Sequence, residues 1–375
     1  MRKVMSIVGT RPELIKMCRV IALLDQQTRH VLVHTGQNYD HGLNEVFFRD
    51  LEIRPPDHYL GAAGNSAIET IAEVLLRTDR LLEEEQPEAV LIYGDTNSGL
   101  AVIAAKRRKI PVFHMEAGNR CFDQRVPEEL NRTVIDHLAD VNMVLTEHAR
   151  RYLLTEGLRP ELVFKVGSHM EEVLNHFRLK IMASDAVERL QLQPQRYFLV
   201  SSHREENVDS EGNLRDLLDT LNGLAEAYRY PVIVSTHPRT RIRLEALGDV
   251  AVDAGVRFLP PFGFLDYVRL EMSAACVVSD SGTITEEASL LGFPAVTIRQ
   301  AHERPEGMDE GALVMCGLKR EPVLDGIRFV TSVGVAARPV SDYVAGAVSR
   351  KVVAIVLSYI DYVNRVVWHK GGAPQ

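Results

Sequence analysis

Two carboxylates in this chain each stand just past a short, strongly apolar run: AVLIYGD closes on Asp95, and KIPVFHME closes on Glu116. Runs of that length and β-branched character read as buried parallel strands. Ligands of open α/β sheets bind outside the carboxyl ends of the strands. Two acids delivered there by neighbouring strands would project into one place, the arrangement expected of an enzyme that moves protons. The segment CFDQRVPEELNR follows, with Glu128 and Glu129 at the first turn of an apolar-periodic helix. They read either as a solvated helix start or as a further acid beside Asp95 and Glu116.

A second group of residues suits anions. The first strand runs directly into Gly9-Thr10-Arg11-Pro12-Glu13, where Thr10 and Glu13 have capping-box spacing and Pro12 lies in the first turn. Free backbone N–H groups there, with Arg11 and Lys16, favour an anion. Asp280-Ser281-Gly282-Thr283 forms a comparable turn after AACVVSD, and Glu286 and Glu287 follow in the next helical turn. Such acids either complement the helix dipole or accept hydrogen bonds from a ribose diol. His203, with Arg204 beside it in SSHREEN, reads as a diphosphate contact or as a packing histidine; His237 in STHPRT reads better as the latter. Arg304 in AHERPEG is a further anion clamp.

These residues need a frame, and the pattern supplies one. Strand-like and helix-like segments alternate along nearly the whole chain, the mark of an α/β protein with parallel sheets. KVMSIVG, HVLVHTG, EAVLIYGD, PVFHME, DVNMVLT and LVFKVGS are strands of the first half, and RYFLVSSH, YPVIVSTH, VRFLPP, ACVVSD and FPAVTIR are strands of the second. Two Rossmann-like domains are expected, over 1–168 and 169–343. Residues 344–375 carry a long amphipathic helix expected to cross back to the first domain. The 375 residues suffice for two cores, and the net charge of -8 argues against a nucleic-acid binder. Cys18, Cys121, Cys276 and Cys316 lie far apart and read as reduced thiols. No secretory leader is evident, and no run approaches the ~20 apolar residues that cross a bilayer. A cytoplasmic protein is the expectation. Zinc-type spacing, a Gly-x-Ser-x-Gly elbow, a Walker lysine loop and Gly-x-Gly-x-x-Gly are all missing.

GTRPELIKM, YGDTNS, HMEAGNR, VPEELNRTVIDH, SSHREEN, SDSGTITEEASLLGFP and HERPEG, in that order from Gly9 to Gly307, together resemble the non-hydrolysing UDP-N-acetylglucosamine 2-epimerase family. The resemblance implies two Rossmann-like domains in a GT-B arrangement, with the active site in the interdomain cleft. It also implies a homodimer, a UDP-sugar substrate, and neither metal nor nicotinamide. By position, Asp95, Glu116 and Glu128 match the family's catalytic carboxylates, and Arg11 and Lys16 would face the nucleotide sugar. His203, Arg204 and Arg304 fall at the diphosphate and sugar. Ser281, Gly282 and Thr283 match the phosphate turn, and Glu287 the ribose ligand. Phe262 and Tyr267 fall where the family holds uracil.

Departures bear on the substrate. Thr283 and Thr285 replace the usual Gly and Gln of the phosphate turn. Asn38 and Tyr39, in TGQNYD, replace the His and Arg with which many members bind an activating UDP-sugar. GNRCFDQRVPEE and AHERPEGM look more like the branch that converts UDP-N-acetyl-L-talosamine-type sugars toward UDP-N-acetyl-L-fucosamine. The rival class is a GT-B glycosyltransferase, which needs an acceptor groove and fewer acids directed at carbon 2.

Overall fold

The computed structural model describes residues 1–36, 48–248, 251–301, 303–334 and 338–370, without the side chains of 205 and 206. Asn38 and Tyr39 lie outside the described residues. The chain divides into two compact units, Met1–Asn175 with Asp342–Gln375, and His176–Ser341.

In the first unit the apolar runs form a wholly parallel sheet: β1 (Lys3–Val8), β2 (Arg29–His34), β3 (His58–Tyr59), β4 (Ala89–Tyr93), β5 (Val112–Met115), β6 (Val141–Val144) and β7 (Val163–Lys165). Their spatial order is β3-β2-β1-β4-β5-β6-β7. β4 and β5 are buried along their whole length, as strands covered on both faces must be. One face of the sheet packs Met5, Ile7, Val33, Val90, Ile92 and Val112 against Val74, Leu81 and Leu82 of the helix Ala67–Glu85.

The terminal helix Val348–Val366 packs on the helix Arg11–Gln27. Val352, Val356, Ile360 and Val363 are its buried stripe at helical spacing. Two acids tie its start down: Glu171 accepts from the N–H groups of Ala345 and Gly346 at 2.7 Å, and Glu172 from that of Ser349 at 2.8 Å.

The second unit repeats the plan with β8 (Phe198–Ser201), β9 (Val232–Ser235), β10 (Val256–Leu259), β11 (Cys276–Ser279), β12 (Ala295–Thr297) and β13 (Val314–Met315), all parallel. The order is β10-β9-β8-β11-β12-β13. Val200, Val234, Val278 and Val296 face Leu214, Leu217, Leu221 and Leu224 of the helix Glu211–Tyr228. In each sheet the strand order reverses once, between β1 and β4 and between β8 and β11. Crossover helices leave the sheet on opposite sides at such a point, which opens a crevice beyond the strand ends. The turns at Gly9, Asp95, Glu116, His203 and Asp280 follow these four strands and β5, whereas His237 follows β9 and Arg304 follows β12.

Candidate active site

The turn after β1 carries Arg11 and leads into the helix Arg11–Gln27. Gly9 is required there by close packing: a Cβ would stand 2.0 Å from Ser98 Oγ and 2.4 Å from Thr35 Oγ1. Glu13 caps the turn, accepting from the N–H groups of Gly9 (2.6 Å) and Thr10 (3.3 Å), while Thr96 Oγ1 donates to its other oxygen at 2.7 Å. This carboxyl therefore joins the turn after β1 to the loop after β4. Its burial raises its pKa to about 7, against the lowering effect of those hydrogen bonds.

One turn further on, Lys16 is not a solvated cation. Its Nζ lies 2.5 Å from Glu116 Oε2, and its side chain is only 5% exposed. The Tyr93 hydroxyl donates to the same oxygen at 2.5 Å. Glu116 itself sits in the left-handed region at φ +62°. For a residue with a Cβ this costs about 1–2 kcal/mol, and strain of this kind gathers at functional positions. Gly118 follows at φ +79°, where a Cβ would meet Ala149 O at 2.5 Å. The chain thus turns sharply out of β5 and presents the Glu116 carboxylate between a cation and a hydroxyl.

Asp95, just past the adjacent strand β4, is held by Arg132, whose guanidinium lies 2.7 Å from Asp95 Oδ2. Asn131 donates to the Asp95 carbonyl at 3.0 Å. Both partners come from the helix Pro127–Leu138. Within that helix the two adjacent acids differ. Glu129 is buried and accepts from the N–H groups of Cys121 (3.1 Å) and Phe122 (2.9 Å), with Arg132 at 3.0 Å. Glu128 is half-buried in the first turn. Glu129 is therefore a structural acid, which leaves Glu128 as the candidate of the pair.

In the second unit the turn after β11 is anchored by Asp280. This buried carboxylate accepts from the backbone N–H groups of His203 (3.0 Å) and Arg204 (3.0 Å), from Asn207 Nδ2 (3.0 Å) and from Ser202 Oγ (2.9 Å). Its Oδ1 also lies 3.0 Å from His203 Nδ1. Burial works to raise its pKa, but His203 and these hydrogen bonds hold it well below the usual carboxylate range. The His203 ring, 40% exposed, is thereby oriented from behind through Nδ1. His237 is the N-cap of the helix Pro238–Leu247, accepting from Arg239 N–H, and its ring lies 6.2 Å from that of His203.

Ser281 Oγ and Thr283 Oγ1 are 2.9 Å apart, and Thr283 Oγ1 donates to Glu287 Oε2 at 3.0 Å. At Gly282 an added Cβ would meet nothing within 4 Å. Glu286, fully buried, pairs with the buried Arg304 at 3.3 Å. Glu287 instead faces Glu271 of the helix Phe264–Ser273. Burial and the nearness of Glu287 raise the Glu271 pKa well above the ordinary value. Tyr267, one turn before Glu271, hydrogen-bonds Ser201, and burial raises its hydroxyl pKa in turn. Phe262 and Tyr267 both pack against the apolar cluster around Leu199, Val277 and Ile284.

The structure thus brings Lys16 to Glu116, sets Asp95 on the neighbouring strand end, and places Arg11 and Glu128 on helix starts in the same unit. His203, Arg204, Ser281, Gly282 and Thr283 gather around Asp280. Tyr93, Arg132, Glu13, Asp280 and Glu271 take part without having been singled out from the sequence as site residues. For Tyr93 a signal was present: a polar aromatic ending an otherwise apolar strand.

A sequence profile described as UDP-N-acetylglucosamine 2-epimerase matches residues 22–357. The chain belongs to this family. A solved UDP-N-acetylglucosamine 2-epimerase from Rickettsia bellii is 56% identical, with a TM-score of 0.91 over 99% of this chain and 100% of that one. The Methanocaldococcus jannaschii UDP-GlcNAc 2-epimerase, solved in complex with UDP-GlcNAc and UDP, is 29% identical, with a TM-score of 0.89 over 95% and 99% of the two chains. The UDP-2,3-diacetamido-2,3-dideoxy-D-glucuronate 2-epimerase of Pseudomonas aeruginosa is 34% identical over 88% of this chain and 92% of its own. The family accounts for the two parallel-sheet α/β units and assigns the protein to the epimerases, a class of isomerase.

Proposed function

We propose that this protein inverts carbon 2 of UDP-N-acetylglucosamine reversibly, by eliminating UDP and adding it back to a glycal. The observation that carries the reading is Glu116, held at positive φ with its carboxylate gripped by Lys16 and Tyr93 beside the strand end that bears Asp95. The hydrogen on carbon 2 of an N-acetylhexosamine is barely acidic. Loss of UDP from carbon 1 makes the ring cationic, and departure of the carbon 2 proton then becomes feasible. Asp95, Glu116 and Glu128 serve proton transfer and stabilise the ring charge. Arg11 and Lys16 face the sugar nucleotide. Lys16 and the Tyr93 hydroxyl, both at 2.5 Å, hold the Glu116 carboxylate in place for that work.

In the second unit His203, Arg204 and Arg304, with the Ser281-Gly282-Thr283 turn, would take the negative charge that grows on the departing diphosphate. Glu287 would accept from the ribose hydroxyls, and Phe262 and Tyr267 would hold the base. The raised pKa of Glu271 favours its neutral form, so that Glu287 would carry the negative charge for that task. No metal or nicotinamide enters this scheme.

The same chemistry on another UDP-2-acetamido sugar, such as UDP-N-acetyl-L-talosamine, is the second reading. It rests on the segments GNRCFDQRVPEE and AHERPEGM, which look more like that branch. Among the described residues no helix is long and apolar enough to cross a membrane. Four free thiols suit a reducing cytoplasm, and we include a homodimer in the proposal, to be checked by light scattering. Proton NMR of purified protein with UDP-N-acetylglucosamine decides the substrate. Appearance of UDP-N-acetylmannosamine is expected. Protein that binds UDP yet makes no new sugar would move the assignment to the second substrate.

A further inference from the structure

The two candidate acids leave adjacent strands on sharp turns, and something must hold those turns in register. The strand β5 contains one charged-type side chain in an apolar run, His114, which is buried. Its Nε2 lies 2.8 Å from the carbonyl oxygen of Gly94, immediately before Asp95. Its Nδ1 lies 2.9 Å from Asp136 Oδ1. A carbonyl only accepts, so Nε2 carries a proton. Asp136 already receives Gly118 N–H at 3.2 Å and the Arg120 guanidinium at 2.7 Å. Burial opposes its ionised form, but the Arg120 guanidinium and the Gly118 N–H, both donors only, favour a carboxylate there independently of His114. An ionised carboxylate also only accepts, so Nδ1 carries a proton as well.

We propose that His114 is a doubly protonated positioning residue that clamps both acid-bearing turns at once. Through Nε2 it fixes Gly94 and hence Asp95. Through Asp136, which grips Gly118 N–H, it fixes the turn that begins at Glu116. The charges alternate along the buried chain: His114, Asp136, Arg120, and then Glu156, which takes Arg120 in two 2.7 Å hydrogen bonds and lies 2.9 Å from His137. Residues in register with His114 on the flanking strands, Ile92 and Asn142, carry no charge. Asn142 donates to the Asp136 carbonyl at 2.9 Å, holding the helix end that bears the carboxylate. A ring with one bare nitrogen would set a lone pair against a carboxylate in the interior, so the network demands the second proton.

The kinetic part of this inference rests on the epimerase reading; the protonation part does not. The test uses the whole protein labelled with nitrogen-15 histidine, with the His114 signals assigned by their loss in His114→Gln. Both ring nitrogens are expected to appear protonated at the pH of the assay. One bare nitrogen would overturn the proposal, whatever reaction the protein performs. For His114→Gln and Asp136→Asn, kcat is expected to fall about tenfold to a hundredfold, as small misplacements of reacting groups do, while KM and UDP binding stay near wild type. Whichever of the two variants folds, turnover equal to wild type would overturn the positioning role. If the protein converts no UDP-sugar while the ring carries both protons, the epimerase reading fails and the clamp stands.

Discussion

The two units use the same sheet topology and spend their acids in opposite ways. In the first, Asp95 and Glu116 stand at strand ends with cations brought to them: Arg132 on Asp95, Lys16 on Glu116. In the second, the fully buried Asp280 faces inward and grips the backbone of the His203-Arg204 loop, and Glu287 lies close enough to the buried Glu271 to raise its pKa. An acid that must exchange protons with a ligand needs access and a partner that tunes it. An acid that shapes an anion site must be withdrawn, so that only donors reach the phosphate. On the proposed function, one fold used twice would supply groups for chemistry in one half and groups for holding charge in the other.

Replacing the strand-end acids should break this contrast most. Asp95→Asn or Glu116→Gln is expected to lower kcat about a hundredfold to ten-thousandfold, the span of general acid–base effects. UDP affinity by calorimetry should be unchanged, and loss of UDP binding would show that the labour is not divided as described. Asp280→Ala comes next. It removes the acceptor for a set of buried donors and should cost about 3–5 kcal/mol, as breaking a buried charged network does, read by denaturant unfolding. UDP binding should weaken with it. Because its pKa is depressed in the folded state, the stability that Asp280 contributes is present above about pH 4, its ordinary range, and is lost as pH falls further.

Glu13 has the opposite sign. Its pKa is raised to about 7, so the folded state binds its proton more tightly than the unfolded chain does. Stability from this group is whole below about pH 4.5 and is lost as pH rises to about 7, by roughly 3 kcal/mol at most. Glu13→Gln should flatten the unfolding midpoint across that window; an unaltered slope would remove Glu13 from the account. The smallest effect is expected at Glu271→Gln, where an amide can still donate to Glu287. Its stability should stay within about 1 kcal/mol of wild type. A large loss would mean that the Glu271 carboxyl does more than carry a proton.

Much of this was legible in the sequence because it is written in local pattern. The buried runs that became β4, β5, β8 and β11 are short, apolar and β-branched, and each motif sits at the end of such a run. The two-residue strands β3 and β13 were not legible: His58-Tyr59 and Val314-Met315 lie at sheet edges, are partly exposed, and owe their form to a neighbour. The terminal helix begins at Val348, four residues after the apolar period begins at Val344, because Gly346 adopts φ +68°. By residue type alone Glu128 and Glu129 look alike, and only the family resemblance points to Glu128. Only the fold shows that Glu129 is spent on the Cys121 and Phe122 amides. Asp280, Asp136 and Glu271 work across the sheet or between helices, at separations no spacing rule reaches.

The central claim is that carboxylates of the first unit remove and return the carbon 2 proton while the second unit holds UDP. Its most direct test is incubation with UDP-N-acetylglucosamine in heavy water, reading deuterium at carbon 2 by proton NMR for wild type and for Glu116→Gln. The account predicts deuterium at carbon 2 of both epimers with wild type and far slower incorporation with the variant. Epimerisation without any deuterium uptake, or uptake at the wild-type rate in Glu116→Gln, would contradict it.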